Sequence, residues 1–237
     1  MRTRAIILKK QNTNEYDQLV TCYTEEFGKV TAVAKSVLKP SSIQAMHLDI
    51  FNLVDFELLN GRATPIITGA QAEKTHPNLK NNLACLAVGY FFAETADKLF
   101  FEYQKDGEIW NFLSSLIEKL DARPVDMNEF LKSEQVEFFN ILGYAPNLDE
   151  CTFCSAKIDG RLTTYSIEAR GGICQDCFLR GQRGIILKNG DWQSPIVLGS
   201  LFEGLVEKKL HSLSFINQVV EVQAAFGKQF SSRKIVS

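Results

Sequence analysis

The hydrophobic rhythm of the chain changes near residue 77. Before that point, short β-prone runs at Thr3–Lys10, Asp17–Thr24 and Lys29–Ala34 are separated by Asn-rich stretches or by Phe27-Gly28. Two more runs follow: Ile50–Leu59, which stops at the turn-forming pair Asn60-Gly61, and Pro65–Ala72, which leads to His76-Pro77. Short β-prone runs bounded by Gly, Asn and Pro are the mark of strands and hairpins, so five strands in one small antiparallel unit are expected. Five strands with long connections suit a closed five-stranded barrel such as the OB-fold, and an SH3-like barrel would read much the same.

After Pro77 the period becomes 3.6, with Leu83, Leu86, Tyr90, Ala93 and Asp97 along one helical face. Ile109, Phe112, Leu113, Leu116, Ile117 and Leu120 form the cleanest amphipathic stripe, and a third helix near Met127–Leu142 is stopped by Gly143 and Pro146. Pro195–Leu213 and Ile216–Phe230 read as helical again. The expected class is therefore α+β: an N-terminal OB-fold barrel over 1–77, a helical domain over 78–149 and 185–237, and a ribbon over 150–184 inserted into it.

That insertion carries the clearest chemistry. Cys151-Thr-Phe-Cys154 and Cys174-Gln-Asp-Cys177 are separated by nineteen residues, the spacing at which two short knuckles fold together and four thiolates close a tetrahedron around zinc. Gly171-Gly172 before the second pair offer backbone freedom for a knuckle turn, Gly160 marks the turn at the far end, and the β-prone run 162–167 makes the segment read as a small ribbon hairpin. Four unrelated buried cysteines would not need paired spacing. A redox pair would be expected at a strand-to-helix junction of a βαβ unit, which neither pair occupies. Four cysteines also fill the zinc coordination sphere, leaving no position for a catalytic water, so the metal is expected to be structural. Cys22 and Cys85 read as buried thiols of a reducing compartment.

Composition removes other classes. At 237 residues and 45% hydrophobic content the chain can build a sizeable core. No run approaches the ~18 apolar residues of a membrane span, and the first eight residues are too short an apolar stretch for a signal peptide, so a soluble cytoplasmic protein is expected. Gly28-Lys29 lacks the rest of a phosphate-binding loop, and His47, His76 and His211 are scattered without partner spacing. No catalytic constellation emerges. The net charge of −2 hides an asymmetry: residues 79–150 carry 6 basic and 13 acidic side chains, whereas residues 1–48 carry 7 and 4. A polyanion is drawn to the N-terminal part and repelled by the centre.

Three stretches together resemble the bacterial RecO recombination mediators. Asn14-Glu15-Tyr16-Asp17, continuing through Thr24-Glu25-Glu26-Phe27-Gly28-Lys29-Val30 to Ala34-Lys35-Ser36, is similar to that family's early barrel strands and basic loop. Leu142-Gly143-Tyr144-Ala145-Pro146-Asn147-Leu148-Asp149-Glu150 running into Cys151, with Gly171-Gly172-Ile173 before Cys174, resembles its helix end and zinc knuckles. Phe226-Gly227 and Ser231-Ser232-Arg233 are a weaker third match. The resemblance implies a non-enzymatic DNA repair protein that binds and anneals single-stranded DNA. With RecR, and in some bacteria RecF, such proteins help RecA displace single-strand-binding protein. Two departures stand out: the family's dense basic cluster is thinned here to Lys35 and Lys39, and Ser155 replaces the glycine usual after the first knuckle.

On this reading Lys9, Lys10, Lys29, Lys35 and Lys39 track a phosphate backbone while Tyr23 or Phe27 stacks on bases. The tail of single-strand-binding protein, acidic with a terminal aromatic, needs a cation beside an apolar hollow, which points to the later helices around Lys208 and Lys209. A reading of another class is a protein-interaction adaptor whose barrel and ribbon bind proteins only, in keeping with the acidic centre and thin basic loop.

Overall fold

The structure is a computed structural model that describes residues 1–61, 64–144, 148–158, 162–166, 168–169, 171–188, 193, 195–216 and 219. Strands β1 (Arg2–Asn12), β2 (Gln18–Thr24), β3 (Gly28–Ala34), β4 (Leu53–Leu59) and β5 (Ile66–Lys74) close a barrel in the order β1-β2-β3-β5-β4. A short helix α1 (Gln44–His47) lies between β3 and β4. The parallel pairing of β3 with β5 at Val33↔Ile66 and the antiparallel pairing of β1 with β4 give the five-stranded order of an OB-fold. β4 and β5 pair as expected, but Leu59 lies opposite Ile66, so Asn60-Gly61 begins a longer connection and does not itself make a two-residue turn.

Ala5, Ile7, Val20, Cys22, Val30, Ala32, Val54, Phe56 and Ile67 point inward and are fully or almost fully buried. In β1, however, Ile6 and Leu8 are buried as well, so four consecutive residues are covered on both faces. Helix α3 (Leu83–Leu99) packs against β1, which explains why alternation in β1 and β2 does not separate an inside from an outside. Tyr23 belongs to that outer layer: it sits edge-on to Phe100 at 5.7 Å and donates its hydroxyl to the Asp106 carbonyl.

After α2 (Pro77–Lys80), three longer helices start on side-chain caps: Asn82 for α3, Asp106 for α4 (Gly107–Asp121) and Asp126 for α5 (Met127–Ile141). Each cap accepts from two backbone N–H groups of its first turn. Part of the acidic excess in the centre is thus helix-starting chemistry, since Glu108 and Glu129 also sit in first turns where the helix dipole favours them. All six residues of the amphipathic stripe on α4 are buried, each worth roughly 1.5–3 kcal/mol of transfer free energy. The face expected for α3 is different from the one it buries. Leu83 and Tyr90 are exposed, and Ala84, Cys85, Val88, Phe91 and Phe92 turn inward. α3 is apolar most of the way round, so more than one stripe fits its sequence. The buried side is the one carrying Gly89, where a Cβ would lie 3.0 Å from the Phe51 ring.

The ribbon holds β6 (Leu162–Ser166), β7 (Gly171–Ile173), a short α6 (Gln175–Leu179) and β8 (Ile185–Lys188). β6 is central and antiparallel to both neighbours, making a three-stranded sheet where a hairpin was expected. The next helix, α7 (Pro195–Val206), ends at Glu207, whose φ is +52°, and residues 211–216 resume helical structure, so the expected Pro195–Leu213 helix is interrupted. The expected helix over Ile216–Phe230 lies almost wholly outside the described residues, as does the turn at Gly160. Two compact units result. One contains the barrel, α2 to α4 and the described residues from Leu210 on; the other spans 126–209, where Phe138 and Phe139 of α5 pack on Phe202 of α7.

Candidate metal centre and nucleic-acid interface

The four sulfurs of Cys151, Cys154, Cys174 and Cys177 all lie within 4.8 Å of one another, with Cys154 and Cys174 at 3.5 Å. A tetrahedron with bonds of 2.3 Å has edges of about 3.8 Å, so the cluster has the size of a closed four-thiolate metal site. Both pairs are held by backbone bonds. The Ser155 N–H donates to the Cys151 carbonyl and the Phe178 N–H to the Cys174 carbonyl, each turning one knuckle. Thr152 locks the knuckles together, because its backbone N–H and its hydroxyl both donate to the Gly172 carbonyl at 3.0 Å. Gly171 and Gly172 serve as buried strand residues; the left-handed turn falls on Ser155, whose φ is +56°.

Electrostatics favour a cation at this point. Burial pushes the Cys151 thiol up, but the N–H groups of Cys174, Phe153 and Cys154 outweigh it and bring the thiol to about 6. Burial and the adjacent thiols push Cys177 up to about 12. Four sulfurs this close do not hold four negative charges unaided, and a divalent metal is what stabilises that state. Ile173, Ile158 and Phe178 pack around the cluster as a very small core. Cys22 and Cys85 are buried elsewhere with thiols raised by burial, as inert structural residues are.

The five lysines expected to meet phosphates do not share one environment. Lys29 is 9% exposed and its ammonium donates to the Asp97 carbonyl, so it serves the fold and offers nothing to a ligand. Lys9 pairs with Asp97 at 2.8 Å and Lys10 with Asp49 at 3.0 Å. Lys35 and Lys39 stand exposed on the loop after β3. Of the aromatics, Tyr23 is 1% exposed and committed to packing, and Phe27 is half-buried against the barrel core. Neither presents an open ring.

Beside Lys35 and Lys39 lies an exposed aromatic, Tyr16, in the β1–β2 turn at 49% exposure, with the Lys39 ammonium 5.3 Å from its ring centre. Asn14 caps this turn, its side-chain oxygen accepting from the N–H groups of Tyr16 and Asp17. A side chain folded onto the backbone two and three residues ahead is the turn habit of Asn, and that signal in Asn14-Glu15-Tyr16-Asp17 was available to locate the residue. A separate cavity of about 770 Å³ joins Leu8, Ile50, Tyr90 and Phe215 to Lys9, Lys10, Lys98 and His211. Lys208 and Lys209 are exposed after α7.

Family models for the recombination protein O N terminus and C terminus match residues 1–76 and 80–218. The chain belongs to the RecO family. DNA repair protein RecO of Desulfitobacterium hafniense (strain DSM 10664 / DCB-2) is 27% identical over 243 residues, covering 98% of this chain and 86% of that protein. RecO of Thermoanaerobacter sp. (strain X514) is 28% identical over 177 residues, covering 75% and 71%. RecO of Dehalococcoides mccartyi (strain ATCC BAA-2266 / KCTC 15142 / 195) is 30% identical over 176 residues, covering 74% and 69%. The boundary between the two RecO models falls just after His76, where strands give way to helices.

Proposed function

We propose that this protein is a non-enzymatic recombination mediator in DNA repair, which binds and anneals single-stranded DNA through its barrel and acts with RecR to help load RecA onto strands coated with single-strand-binding protein. The observation that carries this reading is the OB-fold barrel, in a chain that RecO family models match over 1–76 and 80–218, bearing Lys35, Lys39 and Tyr16 on adjoining loops. Barrels of this kind bind single strands by pairing cations that follow the phosphates with aromatic rings that take the bases. On this reading RecF joins the same pathway in some bacteria. The tail of single-strand-binding protein, which brings carboxylates and an aromatic end together, is assigned to the exposed Lys208 and Lys209 after α7. The cavity beside Leu8, Tyr90 and Phe215 suits it less, because it also holds Asp97, Asp49 and Glu94, which pair with its Lys9, Lys10 and Lys98.

Cys151, Cys154, Cys174 and Cys177 hold zinc on this reading, the four-thiolate, tetrahedral preference of that ion matching the donor set. Zinc there supplies cross-linking and no reaction. Reduced protein prepared without chelator is expected to contain one equivalent of zinc, and a value below half an equivalent would remove the assignment.

A second reading, an adaptor that binds proteins only, draws support from the internal ion pairs that occupy Lys9, Lys10 and Lys29. Annealing of complementary oligonucleotides coated with single-strand-binding protein, beside a single-strand gel shift, separates the two. The mediator reading expects faster annealing and a shift; an adaptor gives neither.

A further inference from the structure

We infer that Tyr16 is a base-stacking platform, which gives the barrel its preference for unpaired over paired DNA. The inference deepens the DNA-binding reading and rests on it. It starts from a shallow hollow of about 480 Å³ lined by Asn14, Glu15, Tyr16, Asp17, Lys35, Ser36 and Lys39. The hollow joins two loops that are far apart in sequence, the β1–β2 turn and the segment after β3.

Those loops are bonded into one rigid rim. The Leu38 N–H donates to the Tyr16 carbonyl at 2.9 Å, and the Ser36 N–H donates to the Asp17 carboxylate at 2.6 Å. Asn14 accepts from Tyr16 and Asp17 on one side, while Val37, 1% exposed, anchors the other side in the barrel core. The Tyr16 backbone is therefore fixed by donors and acceptors on both flanks while its ring is half open. A large exposed aromatic on a fixed backbone loses little conformational freedom when a ligand stacks on it. Lys39 covers part of the ring as a cation, steadying its orientation and standing ready for the phosphate that accompanies a stacked base.

Charge decides between stacking and simple phosphate attraction. Lys35 and Lys39 face Glu15 and Asp17, two positive groups against two negative ones. The Ser36 N–H, foremost among its partners, holds the Asp17 carboxyl below its ordinary range, so that charge persists. A balanced hollow attracts a polyanion weakly, and its distinctive contribution is the aromatic surface. A base within a duplex hides its face between neighbours, whereas an unpaired base has one to offer. The ligand class is therefore an unpaired nucleobase flanked by phosphates.

The test uses the full chain with fluorescent oligonucleotides, comparing the parent with Tyr16→Phe and Tyr16→Ala. Removal of a stacking ring is expected to weaken binding of an ordinary single strand at least about fivefold. Tyr16→Phe should bind as the parent does, and the Tyr16→Ala loss should vanish on a strand of the same length made wholly abasic. A 2-aminopurine base in the strand should also be quenched by the parent protein, a readout that does not depend on how any variant folds. Tyr16→Ala binding ordinary strands as tightly as the parent, an equal loss on the abasic strand, or an unquenched 2-aminopurine each overturns the inference. If Lys35→Glu with Lys39→Glu weakens binding while both Tyr16 variants match the parent, DNA binding stands and the stacking platform falls. A parent protein that binds no single strand removes both.

Discussion

Ser155 holds a φ of +56°, where an L side chain is strained and glycine is not. Ser155→Gly should raise the stability of the knuckle by about 1 kcal/mol, read as a higher thermal midpoint, and a lower midpoint would show that the serine makes a compensating bond. Gly28 is the opposite case. Its φ is +69°, and a Cβ there would lie 1.9 Å from the Gln104 carbonyl oxygen, so Gly28→Ala should cost about 3 kcal/mol or more in chemical denaturation. An alanine variant as stable as the parent would contradict the packing of that turn. His76 is buried at the junction of barrel and helices, with Nδ1 2.7 Å from the Phe51 carbonyl. Burial pulls it below its ordinary 6.5, so it folds neutral, and the unfolded chain binds the proton more readily. Its contribution is complete above pH 6.5 and is lost as pH falls through the lower folded value; replacing His76 with Gln should flatten that acid-side decline. Single residues of this kind were the least legible in sequence: Lys29 reads as one more basic residue of the barrel until its ammonium is seen bonded to the Asp97 carbonyl.

At the scale of elements, strand and helix positions were readable because each is a local pattern. All five barrel strands lie within a few residues of their expected bounds, and the stripe on α4 is the stripe it buries. The buried face of α3 was not readable, since an apolar helix that packs on a strand carries no polar side to orient it. β8 was missed for a related reason: Ile185–Lys188 is four residues long and becomes a strand by pairing with β6 across the knuckle. Glu94 on α3 accepts from Lys98, from the His211 and Ser212 N–H groups and from the Ser212 hydroxyl. Despite partial burial these partners hold its carboxyl at about 2, so its contribution is present above its ordinary 4.5 and is lost as pH falls toward 2. Glu94→Ala should cost about 2 kcal/mol in denaturation at pH 7, whereas no change would show that the 211–216 helix does not need this cap. If the four cysteines hold zinc as proposed, Cys174→Ser should lower the unfolding temperature of the 126–209 unit and its zinc content together, because a ribbon this small has little core of its own.

For the whole molecule, the four-cysteine cluster was legible because its paired spacing is a sequence property, and the barrel because five short β-prone runs bounded by turn residues have few ways to close. The nucleic-acid face was only half legible. Charge counts attract a polyanion to the N-terminal part, yet ion pairs to Asp97 and Asp49, residues distant in sequence, occupy Lys9 and Lys10. On the proposed DNA-binding reading, phosphate contact is left to Lys35 and Lys39 on the loop after β3, and each such contact on a single strand contributes about −0.7 to the log-log salt slope. The most direct test is therefore single-strand affinity across a salt series for the parent and for Lys35→Glu with Lys39→Glu. The predicted result is sequence-independent weakening in the variant and a slope flatter by about 1.4, with folding intact because exposed loop lysines contribute little to stability. Equal affinity and equal slope in the two proteins would contradict the account and move the DNA site away from the barrel, toward the basic region that includes the exposed Arg180 and Arg183.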